Sequence, residues 1–130
     1  MRPELKEYYD KYGRLWHGPY PFSRDAVNAH APGVQGLYQV LYQEGSSFVV
    51  AYIGIATRAN TIRRRLRAHI TGRSNWALGS LTDLDKFFFV FFECDFESAK
   101  QIESHVVTTE KPPFNVKPEY KHYVPSIAVH

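Results

Sequence analysis

Arginine is concentrated in one part of this 130-residue chain, where its chemistry would suit a phosphate. Six of the nine arginines lie within residues 58–73, inside a stretch (45–82) that contains no Asp or Glu. An acid-free cationic stretch of this kind is typical of a surface that binds a polyanion. The alternative interpretation is a basic helix face that is simply solvated.

Arg65 and His69 are four residues apart in this stretch and would be neighbours along one edge of a helix. That edge borders an apolar stripe of Ile62, Leu66 and Ile70, so both side chains would lie at the margin of the core. A guanidinium there offers a planar fork to a phosphate and can bind the additional charge of a phosphoryl transition state. The alternatives are a surface arginine and a boundary histidine.

A carboxylate is predicted among apolar neighbours further along the chain. Helical spacing places Glu103 on the same face as Ala99, Ile102 and Val106. A carboxylate in such surroundings must be paired, protonated or bound to a cation. Because phosphoryl-transfer sites often hold a divalent ion with only one or two carboxylates, Glu103 is a candidate metal ligand. A structural ion pair with Arg65 is the alternative.

Two tyrosines, Tyr38 and Tyr52, lie in segments that we expect to be adjacent strands. They would converge on one site if both face the same side of the sheet. A phenol has an ordinary pKa of about 10, so either tyrosine would need nearby cations to act as a base. Arg65 and a bound metal could supply that field.

The elements that carry these residues are predicted from periodicity and caps. Segments 37–42 and 48–55 are rich in strand-forming residues and flank a Gly-Ser turn, which predicts a hairpin. Thr61 is a suitable N-cap for a helix running to about residue 71. Asp95 is a suitable cap for another helix over about 96–109, which ends at the Lys-Pro-Pro that follows.

The remaining segments complete the expected fold. The spacing of Leu5, Tyr8, Tyr9 and Tyr12 predicts an N-terminal amphipathic helix that ends at residue 13. The Pro/Gly-rich segment 16–22 is predicted as loop, and Ser23 as the cap of a short helix over 24–30. The aromatic run 86–94 predicts a strand covered on both faces. The sum is an α+β fold in which a small central sheet of three antiparallel strands is flanked by helices on both faces.

Composition limits the class of protein. A chain of 130 residues with 44% hydrophobic and 15% aromatic residues predicts one folded domain rather than a disordered chain. Cys94 is the single cysteine, so we expect no disulfide within the chain and no cysteine zinc site. Neither a signal peptide nor an apolar run of membrane-spanning length is present in the sequence, which favours the cytoplasm and no membrane partner.

Taken together, these residues resemble the GIY-YIG nuclease superfamily, as a small stand-alone catalytic domain. The resemblance is carried by Gly36-Leu37-Tyr38, Tyr52-Ile53-Gly54, Arg65-Leu66-Arg67-Ala68-His69, Glu103 and Lys111-Pro112-Pro113-Phe114-Asn115. It implies a catalytic core over about 34–117, preceded by a helical extension (1–33) and followed by a tail (118–130). Leu37 stands in place of the isoleucine of the family name. The interval from Tyr52 to the arginines is stretched, which leaves Arg63 and Arg64 as alternatives to Arg65.

The resemblance also implies a role for each matching residue. Tyr38 would activate or orient the attacking water, and Tyr52 would help to place water or phosphate. Arg65 would bind the scissile phosphate and stabilise its transition state. His69 would hydrogen-bond to a catalytic tyrosine.

Three further positions follow from the same resemblance. Glu103 would ligate a single Mg²⁺ or Mn²⁺, Asn115 would brace the site, and Gly54 would allow close approach of the backbone. For contacts to nucleic acid we expect the surrounding cations to contribute, namely Arg58, Arg63, Arg64, Arg67, Arg73 and Lys111.

The function implied is a metal-dependent endonuclease that hydrolyses phosphodiester bonds of DNA, double-stranded in our expectation, in restriction or DNA repair. A homodimer or a separate specificity partner would be compatible with so short a chain. One alternative is a non-catalytic nucleic-acid-binding module on the same fold, and a weaker one is a basic structural domain. A pure binder would have no need of Glu103 beside a phosphate, which favours the enzyme.

Overall fold

The computed structural model describes residues 6–71 and 84–115. Their strands are β1 (Glu7–Tyr9), β2 (Leu15–Pro21), β3 (Gly36–Glu44), β4 (Ser47–Ala56) and β5 (Phe87–Glu93). The helices are α1 (Arg24–His30), α2 (Ile62–Ile70) and α3 (Phe96–Glu110), with short 3₁₀ turns at Leu84–Lys86 and Pro113–Asn115. The strands form one sheet in the order β1-β2-β5-β3-β4, with every neighbouring pair antiparallel.

The elements that carry the candidate chemistry form as their sequence patterns predict. β3 and β4 pair as a hairpin from Gly36 opposite Ala56 to Glu44 opposite Ser47. The Thr61 side chain caps α2 by accepting a hydrogen bond from the amide of Arg64, and the Asp95 side chain caps α3 in the same way. The aromatic run forms the central strand β5, which pairs with both β2 and β3.

The sheet has an apolar core on each face. One core joins Val27 of α1 and Leu66 of α2 to side chains of the strands, including Tyr38 and Phe89. The other core joins Ala99 and Val106 of α3 to Trp16, Leu37, Ile53 and Val90. The prediction that helices flank both faces is therefore confirmed.

The prediction of three strands is wrong, because the sheet has five. The segment predicted as a loop is β2, which pairs with β5 through His17 opposite Phe91 and Pro21 opposite Phe88. Its prolines are tolerated because β1 covers only Leu15–His17 of the neighbouring edge and the register shifts before Tyr20. Every second residue of β2, beginning with Trp16, is buried. The free energy gained by burying these residues outweighs the preference of Pro and Gly for loops.

The predicted N-terminal helix is also wrong over its described part. Glu7–Tyr9 is strand β1, and residues 10–13 are a turn that leads back into β2. The Asp10 carboxylate organises this turn by accepting hydrogen bonds from the amides of Tyr12 and Arg14, both at 2.9 Å. Tyrosine has a high strand propensity, so the spacing of tyrosines in a short segment is compatible with a helix or with a strand. Here pairing with β2 makes the segment a strand.

Other expectations lie partly or wholly outside the described residues. Trp16 is fully buried, whereas Arg73 lies beyond the part of the chain that the structure describes. No helix among the described residues is both long enough and apolar enough to cross a membrane.

Replacing Trp16 by Ala tests whether β2 belongs to the core. The Trp16 side chain is 0% exposed and stacks edge-on against Phe92, with ring centroids 5.2 Å apart. We expect the free energy of unfolding to fall by about 3–5 kcal/mol, as measured by urea denaturation. Tyr9→Ala on the exposed edge strand is the control and should change it by about 0.5 kcal/mol or less. Equal, small effects of both changes would contradict the observed strand.

Candidate active site

Tyr38 lies at the centre of the candidate site. It is a β3 residue directly opposite Gly54 of β4, and its side chain is fully buried. A Cβ atom built on Gly54 would overlap the hydroxyl and ring of Tyr38. The glycine therefore lets the phenol lie across the neighbouring strand, with its hydroxyl directed towards α2.

Arg65 and His69 of α2 meet the Tyr38 hydroxyl. The Nε atom of Arg65 donates to it over 3.2 Å, and Nε2 of His69 lies 2.7 Å from it. Of the three consecutive arginines, Arg65 is the one that contacts Tyr38, because Arg63 Nε donates to the carbonyl of Ala31. The i, i+4 spacing places two side chains of one helix on a single phenol oxygen.

Burial sets the protonation states of Tyr38 and His69. Desolvation raises the pKa of Tyr38 above its ordinary value of 10.0, with the nearby Tyr52 adding to the shift and Arg65 opposing it. Desolvation, reinforced by the charge of Arg65, lowers the pKa of His69 to about 3. A neutral imidazole has one unprotonated nitrogen, so the tautomer with unprotonated Nε2 accepts the Tyr38 proton while Arg65 donates to the Tyr38 oxygen.

Tyr52 is half-buried and lies on the same face as Tyr38. Their ring centroids are 6.2 Å apart, and the Tyr52 ring meets His69 edge-on at 5.0 Å. A bulge in β4 contributes to this arrangement, since Tyr52 pairs with Val40 whereas the next strand residue, Leu41, pairs with Val50. Bulges re-aim side chains in this way.

Asn115 binds the free edge of β4. Its Oδ1 accepts from the amide of Ile53 and its Nδ2 donates to the carbonyl of the same residue, each over 3.0 Å. Because β4 is the last strand of the sheet, these backbone groups have no partner strand within residues 6–71 and 84–115. The Asn115 amide thus takes the place of a strand next to Tyr52 and fixes the segment after α3 to the site.

Glu103 of α3 is close enough to Arg65 for the charge of that guanidinium to act on its carboxylate. It is half-buried, and desolvation raises its pKa while the charge of Arg65 lowers it. No hydrogen bond or ion pair within 4.0 Å reaches the Glu103 carboxylate from the described residues, so the ion pair with Arg65 is not formed there. A half-buried carboxylate without a bonded partner is suited to a cation. No group of three or more His, Cys, Asp or Glu side chains that could hold a metal is found in the described ranges.

The expected nucleic-acid contacts separate into several places. Arg58, Arg64, Arg67 and Lys111 are exposed, Arg63 is tied to α1 through Ala31, and Arg73 lies outside the described residues. Arg64 and Arg67 line a groove together with α1 residues, including Arg24 and Asn28. Neither of these α1 residues is among the nucleic-acid contacts expected from the sequence. The sequence predicted α1 but held no signal for how α1 would pack on α2.

Comparison with known proteins gives matches among solved structures. No family model and no curated protein matches the chain. It is similar to the GIY-YIG N-terminal endonuclease domain of UvrC from Thermotoga maritima bound to its catalytic divalent cation, magnesium, with 21% identity and a TM-score of 0.48 over 67% of this chain and 89% of that one. An asparagine-to-alanine point mutant of that domain gives 20% identity and a TM-score of 0.47, covering 68% of this chain and 89% of that one. These neighbours are domains of the superfamily that the sequence motifs resemble.

Gly54→Ala tests the packing beneath Tyr38. The added methyl group would displace the phenol, and we expect the free energy of unfolding to fall by about 1–3 kcal/mol in urea denaturation, as for other overpacked cores. Gly33→Ala is the control, because a Cβ there meets no atom within 4 Å and should leave stability nearly unchanged. A Gly54→Ala protein as stable as the control would contradict the described contact.

The lowered pKa of His69 predicts a specific acid sensitivity. In the unfolded chain His69 binds a proton below its ordinary pKa of 6.5, whereas in the folded protein it stays neutral down to about 3. Its contribution to stability is therefore complete above pH 6.5 and is lost as pH falls through this window, by at most about 1.4 kcal/mol per pH unit.

The measurement is urea denaturation of the wild type and of His69→Gln at several pH values between 7 and about 4. We expect the difference in unfolding free energy between the two proteins to shrink as pH falls, because glutamine does not titrate. Parallel curves for the two proteins would show that His69 keeps an ordinary pKa in the folded state.

Proposed function

We propose that this protein is a metal-dependent endonuclease that hydrolyses DNA phosphodiester bonds at the site around Tyr38. One observation carries the proposal: the Tyr38 hydroxyl is held between a donor, Arg65 Nε, and a neutral imidazole, His69 Nε2. A phenol in this setting has both a route for losing its proton and a cation to stabilise the oxygen that remains. A tyrosine with a purely structural role would also need hydrogen-bond partners for its buried hydroxyl, but it would not need a cation paired with an unprotonated base.

Proton transfer proceeds through Tyr38 in this mechanism. The raised pKa of Tyr38 means that the phenol is protonated at rest. As a water molecule attacks the phosphorus atom, its proton moves to the Tyr38 oxygen while the Tyr38 proton moves to His69 Nε2. The bond between phosphorus and the leaving sugar oxygen then breaks, that oxygen takes a proton from solvent, and His69 releases its proton to solvent.

Arg65 has two roles at different stages. It orients the Tyr38 hydroxyl through Nε, and its remaining guanidinium donors can bind the phosphate oxygens as negative charge develops on them. The charge of Arg65 is also one cause of the low pKa of His69. A bound phosphodiester offsets that charge, so substrate binding makes His69 a better proton acceptor.

Glu103 is the residue that would hold a Mg²⁺ or Mn²⁺ ion. Its half-buried carboxylate lacks a bonded partner among the described residues, and the charge of Arg65 acts on it. One phosphate could therefore contact both Arg65 and a cation held by Glu103. A divalent ion held by one carboxylate, with water and substrate oxygens completing its shell, would neutralise charge on the phosphate. Tyr52 would position water or phosphate beside Tyr38, and Asn115 would keep β4 in place.

The substrate we propose is double-stranded DNA, bound through the exposed cations. Arg58, Arg64, Arg67 and Lys111 are exposed and suited to backbone phosphates, which carry no base information. A role in restriction or repair, with a second copy or a separate partner supplying specificity, is part of the same proposal.

Cleavage of supercoiled plasmid in the presence of Mg²⁺ or Mn²⁺ tests the proposal. We expect the wild type to nick or linearise the plasmid, and Tyr38→Phe and Glu103→Gln each to reduce the rate at least about 100-fold. Both changes preserve size, so the variants should remain folded, and Glu103→Gln should still bind DNA because it removes only the cation ligand.

Matched controls use the same chemical changes elsewhere. Tyr9→Phe alters a tyrosine that is 62% exposed, and Glu97→Gln alters an exposed glutamate of the same helix as Glu103, so both should cut at the wild-type rate. A folded wild type that binds DNA but shows no metal-dependent cleavage would instead support a non-catalytic binding module.

A further inference from the structure

A basic groove lies between α1 and α2, apart from the candidate active site. Its volume is about 560 Å³, and the polar side chains that line it are Arg24, Asn28, Asn60, Arg64, Arg67 and Thr71. No carboxylate is among its lining residues. Three guanidiniums with no opposing charge in the groove create a local field that attracts an anion.

The arginines of the groove differ in how firmly they are held. Arg67 Nε donates to Asn28 Oδ1 over 2.7 Å, which fixes this guanidinium between the two helices. The side chains of Arg24 and Arg64 form no hydrogen bond or ion pair within the described ranges, and the neighbouring Asp25 forms no ion pair there either. The groove therefore offers one positioned cation and two whose donors are available to a ligand.

The groove and the candidate active site use different faces of α2. Arg64, Arg67 and Thr71 follow the three-to-four-residue spacing of one helix face, whereas Arg65 and His69 form another that contacts Tyr38. The helix with its side chains is about 10 Å wide. One DNA strand places a phosphate every ~3.4 Å along the duplex axis, so a single strand can span this width in about three phosphates.

We propose that the groove between α1 and α2 binds a backbone phosphate of duplex DNA on one flank of the phosphate held at Arg65. This inference rests on the proposed nuclease function for the position of the scissile phosphate, whereas the affinity of the groove for DNA does not depend on cleavage. The groove contributes affinity and fixes how the strand lies over α2, but it reads no base, because its ligands are phosphate oxygens.

The test measures duplex binding as a function of salt in a Glu103→Gln background, so that no substrate is consumed. Arg24→Ala combined with Arg64→Ala should weaken binding by roughly 10- to 100-fold and make the slope of log K against log salt less negative by about 1, because the contact with one phosphate is lost. The matched control combines Lys6→Ala with Lys100→Ala, which removes the same charge from exposed positions outside the groove. It should change both quantities much less.

Equal effects of the two double variants on affinity and slope would contradict the proposed contact between the groove and DNA. General attraction of DNA to the protein's positive charge would then explain the loss of binding in both variants. A shorter duplex provides a second readout. Once it no longer reaches the groove, the Arg24/Arg64 double variant should bind it as tightly as the parent does, and a persistent difference would also overturn the inference.

The results separate this inference from the proposed function. If the wild type cuts plasmid but the groove variant binds DNA like its control, the nuclease function is supported and DNA binding by the groove is contradicted. If no cleavage occurs but the groove variant loses salt-dependent binding, DNA binding by the groove is supported and the nuclease function is contradicted.

Discussion

The buried hydroxyl of Tyr38 is the constraint around which the described structure is arranged. A phenol oxygen removed from water must be given hydrogen-bond partners, and here they are Arg65 and His69 from one turn of α2. The ring reaches that position only because Gly54 on the paired strand has no side chain. Strand register, helix position and glycine placement are thus all tied to one polar atom.

The candidate site lies beside β4, at one edge of the sheet that the described residues form, and helices from both faces reach this strand. Arg65 and Glu103 belong to helices that pack against opposite faces, and both helices contact the last strand, β4. The exposed backbone of that strand is occupied by Asn115. An edge strand can pair with another chain, and here the edge groups of Ile53 anchor the segment that follows α3.

The charges on α2 are divided by the geometry of a single helix. Arg65 faces the buried phenol of Tyr38, where burial shifts the pKa values of Tyr38 and His69, whereas Arg64 and Arg67 face solvent and the groove beside α1. Arg63 is held by a backbone carbonyl and serves the packing of α1 on α2. Four nearly consecutive arginines therefore have three different environments, which composition alone does not distinguish.

The sequence by itself determined the local elements that carry the candidate site. The β3–β4 hairpin, the capped helices α2 and α3 and the central strand β5 follow from periods, caps and turn residues, because those signals act between residues close in the chain. The i, i+4 spacing of Arg65 and His69 likewise predicted that the two side chains lie side by side along one edge of the helix. Only the tertiary structure decided that β1 and β2 extend the sheet to five strands, since the energy of a strand comes from a partner distant in sequence. The same reason explains why Tyr38 as the common partner, the Asn115 contact with Ile53 and the meeting of α1 with α2 could not be read from the chain.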